Sequence, residues 1–274
     1  MSEPAAAAKR ASLLAIYSAL VFAFLYLPIA VLVLYSFNHD GVGGFPPKQF
    51  TLRWYEELLS DRSIWTSFLN SLFVALGAVA LSLVLGLLAA LALDRAEFPG
   101  KALFRRLVLL PLVLPGIITG LSLLMFAVTL GLSRSLLLVF FGHGTALISV
   151  ATTEIFAGLQ KLPRAQEEAS LDLGATPWQT FWRVTLPNLR LSLIAAGLLI
   201  FTLSMDEIAV TFFLIGSDNT LPLEIYARLR RGITPEINAI STLIFILSVV
   251  LILVWYRIRA RTLGSEHGKL VEPS

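Results

Sequence analysis

Residues 161–190 read KLPRAQEEASLDLGATPWQTFWRVTLPNLR, a charged, helix-forming stretch between two apolar segments. The flanking segments, 144–160 and 191–215, are close to the ~20 residues that a helix needs to cross the hydrocarbon core of a bilayer. Backbone groups in lipid must be hydrogen-bonded within the protein, and a helix satisfies them along its own length. This part of the chain therefore predicts an all-α protein embedded in a membrane.

The composition of the whole chain agrees with that class. Hydrophobic residues make up 57% and charged residues 14%, with a mean hydropathy of +0.80, whereas soluble domains carry about 25% charged residues. The spacing of apolar runs predicts a polytopic protein with six transmembrane helices, at about 13–37, 67–93, 107–130, 144–160, 191–215 and 237–256. They form one predicted transmembrane domain over 13–260, between an N-terminal segment 1–12 and a tail 261–274.

The region 131–143 leaves alternatives open. Its apolar run 136–141 precedes Gly142-His143-Gly144, and it is either a short interfacial or re-entrant piece or a full span of its own, which would raise the count to seven. His143 between two glycines is expected to be a turn residue rather than a ligand. The first span is expected to be a retained anchor, because its apolar run exceeds the 7 to 15 residues of a signal peptide.

The Lys and Arg residues predict the orientation of the chain. One alternate set of connections holds fourteen of the 21 Lys and Arg residues, and such residues accumulate on the cytoplasmic side. Both termini and residues 161–190 are therefore expected to face the cytoplasm. The same asymmetry accounts for the net charge of +3, so no nucleic-acid partner is expected.

Signatures of catalysis and cofactor binding are missing from the sequence. The chain has no cysteine, and its three histidines, His39, His143 and His267, lack the spacing of metal ligands. Neither Gly-Lys pair has the surroundings of a phosphate-binding loop. We expect no resident metal, no cofactor and no enzymatic activity in this chain.

The first half of 161–190 predicts a short helix. Pro163 suits its first turn, and Gly174 suits a position just past its end, where a left-handed conformation is common. Glu168 and Asp172 are four residues apart on this helix, where like charges repel slightly. A partner that supplies cations or capping contacts is therefore a reasonable hypothesis for this helix.

The second half predicts another helix with a strong start signal. Thr176 is the expected N-cap, Pro177 the first helical residue, and Gln179 completes a capping box. The helix also carries a bulky stripe formed by Trp178, Phe181 and Trp182. The stripe lies either at the membrane interface or against another protein.

The same residues carry a resemblance to a known family. Glu168-Ala169-Ser170, then Gly174, then Val184-Thr185-Leu186-Pro187 resemble the "EAA" loop of the permease subunits of binding-protein-dependent ABC importers. The spacing matches that pattern throughout. Ser170 stands where the pattern has its second alanine, a change between small residues that keeps close packing plausible.

This resemblance implies a fold, partners and site residues. It implies the permease fold of type I ABC importers in the bacterial cytoplasmic (inner) membrane, with a cytosolic ATPase dimer, a second permease subunit and a periplasmic solute-binding protein as partners. In that family the loop forms coupling helices that dock into a groove of the ATPase. The coupling roles fall on Glu168, Ala169, Ser170, Gly174, Leu186 and Pro187.

Two further stretches, 36–75 and 206–243, resemble the C-type permease subunit of spermidine/putrescine importers, and the similarity extends over about residues 10–258. It implies uptake of a polyamine. Related permeases for ferric iron, phosphonate or opine-like solutes remain alternatives. A passive channel and a membrane-embedded enzyme are rivals of other classes.

Acidic residues in the predicted spans are candidates for the solute pathway. Asp206 and Glu207 lie well inside the fifth span, where a carboxylate costs about 2.5 to 3.5 kcal/mol on insertion scales and usually faces a cavity or a partner. On a continuous helix they diverge by about 100°, so one is expected to line the route and attract a cation while the other is held by a neighbouring span. A structural pairing without solute contact is the alternative. Glu154 is a weaker candidate, or a hydrogen-bonding partner of another helix.

Two short helices are predicted outside the membrane. The first, over 50–59, carries Trp54 and Tyr55, whose amphipathic rings suit the membrane interface. The second, over 222–231, carries a cluster of arginines. That cluster is either a contact for a binding protein or a solvated face.

Overall fold

The computed structural model describes residues 3–39, 47, 49–232, 234–246 and 249–250. Their secondary structure is helical, with one isolated β-bridge between Asn38 and Phe50, which confirms the all-α prediction for this part of the chain. The helices are α1 Glu3–Tyr35, α2 Arg53–Ser60, α3 Arg62–Arg95, α4 Lys101–Leu109, α5 Gly116–Thr129, α6 Leu136–Ala146, α7 Ile148–Leu159, α8 Arg164–Asp172, α9 Pro177–Thr180, α10 Leu186–Met205, α11 Ala209–Leu214, α12 Leu221–Arg231 and α13 Pro235–Ile246.

Several of these helices are long and apolar enough to cross a bilayer. Among the described residues there are four such segments, Leu13–Tyr35, Arg62–Arg95, Leu136–Leu159 and Pro177–Met205, or five if one bent pair is counted as a span. The last predicted span, 237–256, overlaps α13 and continues beyond the described residues, and the predicted tail 261–274 lies outside them. The six-span count therefore stays a prediction.

The third predicted span, 107–130, is bent rather than straight. A 3₁₀ turn, Leu110–Leu112, extends α4, and α5 then leaves at 109° to it. Pro115 lacks a backbone N–H and disfavours the helical conformation at Leu114, so the helix stops there. Pro115 becomes the N-cap residue of α5.

The fourth predicted span begins earlier than 144. Leu136–Leu159 forms one span-length segment from α6 and α7, so the apolar run 136–141 is its first part. A Cβ atom added at Gly142 would overlap Leu214, and one at Gly144 would overlap Leu81. These glycines allow neighbouring helices to approach closely, and His143 between them is helical. The prediction of a turn at His143 is wrong.

The chain falls into two compact units, and Arg62–Tyr226 forms the larger one. Within it α3 packs against α6, α7 and α10. Small side chains permit the close helix approach that stabilises membrane bundles. A Cβ added at Gly86, for example, would overlap Ala151 on α7. The buried small residues of α3 are Ser67, Ser71, Ala75, Ala78, Ser82, Gly86, Ala89 and Ala90.

The other unit contains the residues up to Asp61 and those from Ala227 onward. Both aromatic residues of α2 make polar contacts within it. The indole nitrogen of Trp54 donates to the carbonyl of Asn38 at 2.8 Å, and the Tyr55 hydroxyl lies 2.6 Å from Ser36 Oγ. Arg228 of the predicted arginine cluster donates to Asp61 at 2.7 Å, so this arginine is held within the unit.

Candidate functional site

The segment 161–190 folds as the short helix α8, a tight turn and the start of a second helix, which is longer than predicted. Gly174 adopts φ +85°, and its N–H donates to the Leu171 carbonyl at 2.9 Å while Ala175 N–H donates to the Ser170 carbonyl at 3.1 Å. This pair of bonds is a Schellman motif, which caps the end of α8 and needs a left-handed residue at its turn. The predicted role of Gly174 as the helix terminator is confirmed.

The start of the second helix is also confirmed. Thr176 Oγ1 accepts from the Gln179 N–H at 3.3 Å, and Gln179 Oε1 accepts from the Thr176 N–H at 2.8 Å, so the capping box is complete. Pro177 occupies the first helical turn. α9 continues through a π-helical turn, Phe181–Thr185, into α10. The second helix is therefore the beginning of the long segment Pro177–Met205.

The adjacent acids of α8 have opposite surroundings. Glu167 is bound on both carboxylate oxygens: Arg95 Nη2 lies 2.9 Å from Oε2, and the Thr185 hydroxyl donates to Oε1 at 2.6 Å. We call these three side chains the Arg95 bridge; it joins α8 to the end of α3 and to the last residue of the π-helical turn before α10. Glu168 is exposed and pairs with no side chain of the described residues.

Asp94 extends the Arg95 bridge to α7. Its side chain is 3% exposed, and its Oδ2 lies 3.1 Å from Arg95 Nε, while its Oδ1 accepts from Gln160 at 2.6 Å. Arg164, the first residue of α8, donates to the Asp94 carbonyl at 3.2 Å. Sequence reasoning did not find these contacts, because they join residues about 70 positions apart. The only local sign was a charge pair, Asp94-Arg95, at the end of an apolar run.

The remaining predicted residues of the segment take several positions. Ser170 Oγ lies 3.1 Å from the buried Thr180 Oγ1, so the serine that departs from the alanine pattern links α8 to α9. Leu186 is half-buried at the first position of α10, whereas Ala169 and Pro187 are exposed. The structure thus brings the six predicted residues into one folded segment.

Large apolar side chains project from this segment. Leu173 is 90% exposed, Trp178 68% and Trp182 51%. The rings of Trp178, Phe181 and Trp182 contact one another, so the predicted stripe exists as a cluster. For the hypothesis that this segment contacts a partner, we call its exposed residues Glu168, Leu173, Trp178 and Trp182 the docking surface. It combines an unpaired carboxylate with apolar area that favours burial against a partner.

The fifth predicted span is not one continuous helix. α10 ends at Met205, Asp206, Glu207 and Ile208 lie in a break, and α11 begins at Ala209. The expectation that Asp206 and Glu207 point from a continuous helix is therefore wrong. An acidic residue before a helix start can accept from the free N–H groups there, which favours a new helix over a continued one.

Glu207 performs this capping. Its Oε1 accepts from the Val210 N–H at 2.9 Å. A Cβ atom built on Gly116 would lie 3.5 Å from the same oxygen, so the carboxylate also lies beside the N-terminus of α5, whose helix dipole favours a negative charge. Asp206 is exposed and makes no side-chain bond within the described part of the chain. Within the break, the carboxylate of Glu207 is therefore hydrogen-bonded to the protein, whereas that of Asp206 is exposed and available to a ligand.

Glu154 is not part of this group. It lies half-buried on α7, five residues before the end of that helix, nearer in sequence to the segment 161–190 than to the break. Its side chain has no hydrogen-bond or ionic partner among the residues that the structure describes. Over the same residues, no cluster of three or more His, Cys, Asp and Glu side chains is arranged to hold a metal ion.

A polar cavity that sequence reasoning missed lies between the first turns of α3 and the loop after α11. Its volume is about 370 Å³. Asn70 crosses it, donating from Nδ2 to the Asn219 carbonyl at 2.9 Å. One arginine and one aspartate balance its charge. The cavity is lined by Arg62, Ser63, Thr66, Ser67, Asn70, Ser217, Asp218 and Asn219.

Comparison with known proteins gives consistent results. The sequence profile of a family described as "Binding-protein-dependent transport system inner membrane component" matches residues 82–263. The chain is 38% identical over 244 residues, 86% of each chain, to the putrescine transport system permease protein PotI of Escherichia coli (strain K12). It is 33% identical over 233 residues, 85% of this chain and 90% of the relative, to the spermidine/putrescine transport system permease protein PotC of Haemophilus influenzae (strain ATCC 51907 / DSM 11121 / KW20 / Rd).

Solved structures agree at the level of the fold. A chain from the crystal structure of a bacterial ABC transporter involved in the import of the acidic polysaccharide alginate aligns with a TM-score of 0.67 at 18% identity. The alignment covers 95% of this chain and 98% of that one. At this identity the likeness concerns the architecture and carries no information about the solute.

Proposed function

The chain belongs to the family of binding-protein-dependent transport system inner membrane components, and from that membership we propose that it is the permease subunit through which an ATP-driven importer takes up polyamines. Its fold is that of the permeases of type I ABC importers. Subunits of this family are not the catalytic ones. ATP hydrolysis is therefore assigned to a partner.

The assembly we propose contains four kinds of component. This chain and a second permease enclose the route, a cytosolic ATPase dimer supplies the energy, and a periplasmic binding protein delivers the solute. Both termini and the segment 161–190 face the cytoplasm in this arrangement, which the distribution of Lys and Arg supports. The binding protein and the solute then reach the chain from the opposite side.

The observation that carries the proposal is the contrast between bound and exposed side chains in the segment 161–190. Glu167 is bound inside the chain by the Arg95 bridge, whereas Glu168 and the apolar side chains of the docking surface project outward. The helix α8 is held to the rest of the chain on one side and exposes charged and apolar side chains on the other, an arrangement that suits rigid attachment to another protein. We assign the docking surface to the ATPase.

The polyamine assignment rests on the relatives and on the break in the fifth span. PotI and PotC are named for putrescine and spermidine transport. A polyamine is a chain of protonated amines, and the open carboxylate of Asp206 can form charge-assisted hydrogen bonds with one of them. Glu207 adds negative charge beside it. A permease for an anionic solute would find these acids unfavourable.

Changing Glu168 to Arg tests the assignment of the docking surface. Placing a cation where the ATPase accepts an anion is expected to weaken the complex by roughly 2 kcal/mol, about thirtyfold in affinity. The measurement is the amount of ATPase that co-purifies with the tagged permease, together with uptake of labelled putrescine. Both are expected to fall.

Glu97 provides the matched control. It is also an exposed glutamate on the predicted cytoplasmic side, with a side chain 90% exposed that pairs only locally with Lys101. Glu97→Arg is expected to retain the ATPase and transport. Full retention and transport in Glu168→Arg would contradict the proposal, and uptake that persists without any ATPase would favour a passive channel.

A further inference from the structure

His143 is the most deeply buried ionisable ring in the described part of the chain. It lies on α6 and is 2% exposed. Both of its ring nitrogens have hydroxyl partners: Nδ1 lies 2.8 Å from Ser204 Oγ, and Nε2 lies 2.9 Å from Thr211 Oγ1. A buried polar ring with both nitrogens bonded is a specific structural element rather than a filler of the core.

The two partners of His143 lie on opposite sides of the break in the fifth span. Ser204 is in the last turn of α10, and Thr211 is in α11. Both hydroxyls belong to buried residues. A single side chain from another helix therefore connects the two helical segments across Asp206, Glu207 and Ile208.

The hydrogen bonds have one consistent direction. The Thr211 hydroxyl donates to the Glu207 carbonyl at 2.9 Å, so its oxygen accepts from His143 Nε2–H. A neutral imidazole carries one donor and one acceptor, so Nδ1 accepts from the Ser204 hydroxyl. The resulting series of hydrogen bonds begins at Ser204, passes through His143 and Thr211, and ends on the backbone carbonyl of Glu207.

We propose that His143 is a positioning residue that holds the two halves of the fifth span in register, and thereby places Asp206 toward the solute. The second part of this inference rests on the proposed function. The bond from Thr211 to the Glu207 carbonyl orients the backbone of the break, and Glu207 itself caps α11 through Val210. His143 acts on the solute through these residues and does not touch it.

Packing around His143 supports this role. Gly142 lies against Leu214 and Val210 of α11, so α6 approaches the second segment closely enough for the ring to reach Thr211. Without the ring, the Ser204 hydroxyl loses its bond to Nδ1 and the Thr211 oxygen loses the donor Nε2–H, in a region where water does not replace them readily. Residues 206–208 are then held by fewer hydrogen bonds, and this part of the backbone unfolds locally more often.

A single cysteine in the break tests the positioning directly. The chain has no native cysteine, so Ile208→Cys introduces one thiol at a half-buried position. The rate of its reaction with N-ethylmaleimide is measured in the complete complex with its partner subunits. His143→Leu is expected to raise the rate roughly fivefold to tenfold, because it removes both hydrogen bonds of the ring and the net contribution of each is modest.

Three further variants define the result. His143→Gln keeps a donor and an acceptor and is expected to restore most of the protection. Thr211→Val removes a hydroxyl from the same series of hydrogen bonds with little change of side-chain shape, and it is expected to behave like His143→Leu. If His143→Leu does not assemble, the labelling rate of Thr211→Val tests the proposal instead. Thr152→Val is the control, since Thr152 is equally buried but donates only within its own helix, to Ile148. It should label at the parental rate.

Uptake kinetics separate positioning from a general loss of folding. In His143→Leu without the added cysteine, the KM for putrescine is expected to rise while the ATPase still co-purifies in normal amount. An unchanged labelling rate in both His143→Leu and Thr211→Val would overturn the proposal. If the parent protein transports no putrescine, the proposed function fails, and the labelling result still tests whether His143 holds the break.

Discussion

At the scale of single residues, Asp206 and Glu207 differ in whether the carboxylate already has a hydrogen-bond partner within the protein. Glu207 accepts a backbone N–H from Val210 and lies beside Gly116 at the start of α5. Asp206 is exposed, with no such contact in the described residues. The carboxylate that is free to bind a cation without losing a structural bond is that of Asp206.

Asp206→Asn is therefore expected to raise the KM for putrescine roughly tenfold or more, because a hydrogen bond to a charged group contributes about 1.5 to 3 kcal/mol. Glu207→Gln is expected to have a smaller effect on KM, since its amide oxygen can still accept from Val210. Uptake at graded putrescine concentrations measures both.

The control for this pair is Asp218→Asn, which removes a charge from an exposed position in the polar cavity. Its KM is expected to stay near the parental value. A parental KM in Asp206→Asn, combined with a raised KM in Glu207→Gln, would reverse the assignment of the two acids.

At the scale of secondary-structure elements, the Arg95 bridge connects α8 to two of the long helical segments. Glu167 on α8 is joined to Arg95 at the end of α3 and to Thr185 at the end of the π-helical turn before α10. The side chains of Arg95 and Glu167 are only 24% and 16% exposed, so solvent screens their attraction less than at the surface. In the proposed assembly, a displacement of α8 would therefore be passed to both of these segments.

Breaking the bridge is expected to uncouple the transporter without releasing the ATPase. Glu167→Arg should lower ATP-dependent putrescine uptake severalfold while ATPase co-purification stays within a factor of about two, because the docking surface is intact. Thr185→Val removes the other bond to Glu167 without changing any charge and should lower uptake in the same direction, by a smaller factor. Loss of ATPase retention in Glu167→Arg, or parental uptake in both variants, would contradict this role.

Local patterns predicted the elements whose signals lie within a few residues. The Schellman turn at Gly174 and the capping box of Thr176 and Gln179 are both encoded by short-range hydrogen bonding, so sequence alone was sufficient. The all-α class followed from hydropathy for the same reason.

Features held by distant residues were not predictable in this way. Apart from Asp206 and Glu207, the stretch after Met205 is apolar and suits a continuous helix. The helix nevertheless breaks where Glu207 caps α11 and where His143, more than 60 positions earlier in the chain, bonds Ser204 and Thr211. The Arg95 bridge also depends on distant partners. In each case the sequence showed the polar residues in apolar surroundings but not which helix would meet them.

At the scale of the molecule, one helical segment, which includes the π-helical turn Phe181–Thr185, joins the docking surface to the break. Pro177–Met205 spans 29 residues, or about 43 Å at 1.5 Å per residue. Its first turns carry Trp178 and Trp182, and its last residue precedes Asp206. In the proposed assembly, closure of the ATPase dimer would move the end that carries Asp206 together with the docking surface, as in hinge and rigid-body transitions that give alternating access.

The most direct test of this account is uptake by the complete complex in proteoliposomes. The binding protein and labelled putrescine are supplied outside, and ATP or a non-hydrolysable analogue is enclosed. We expect putrescine to accumulate against its gradient only with ATP, and accumulation to fall in Glu168→Arg but not in Glu97→Arg. Accumulation that is equal with the analogue, or undiminished in Glu168→Arg, would contradict the claim that the segment 161–190 couples this chain to an ATPase.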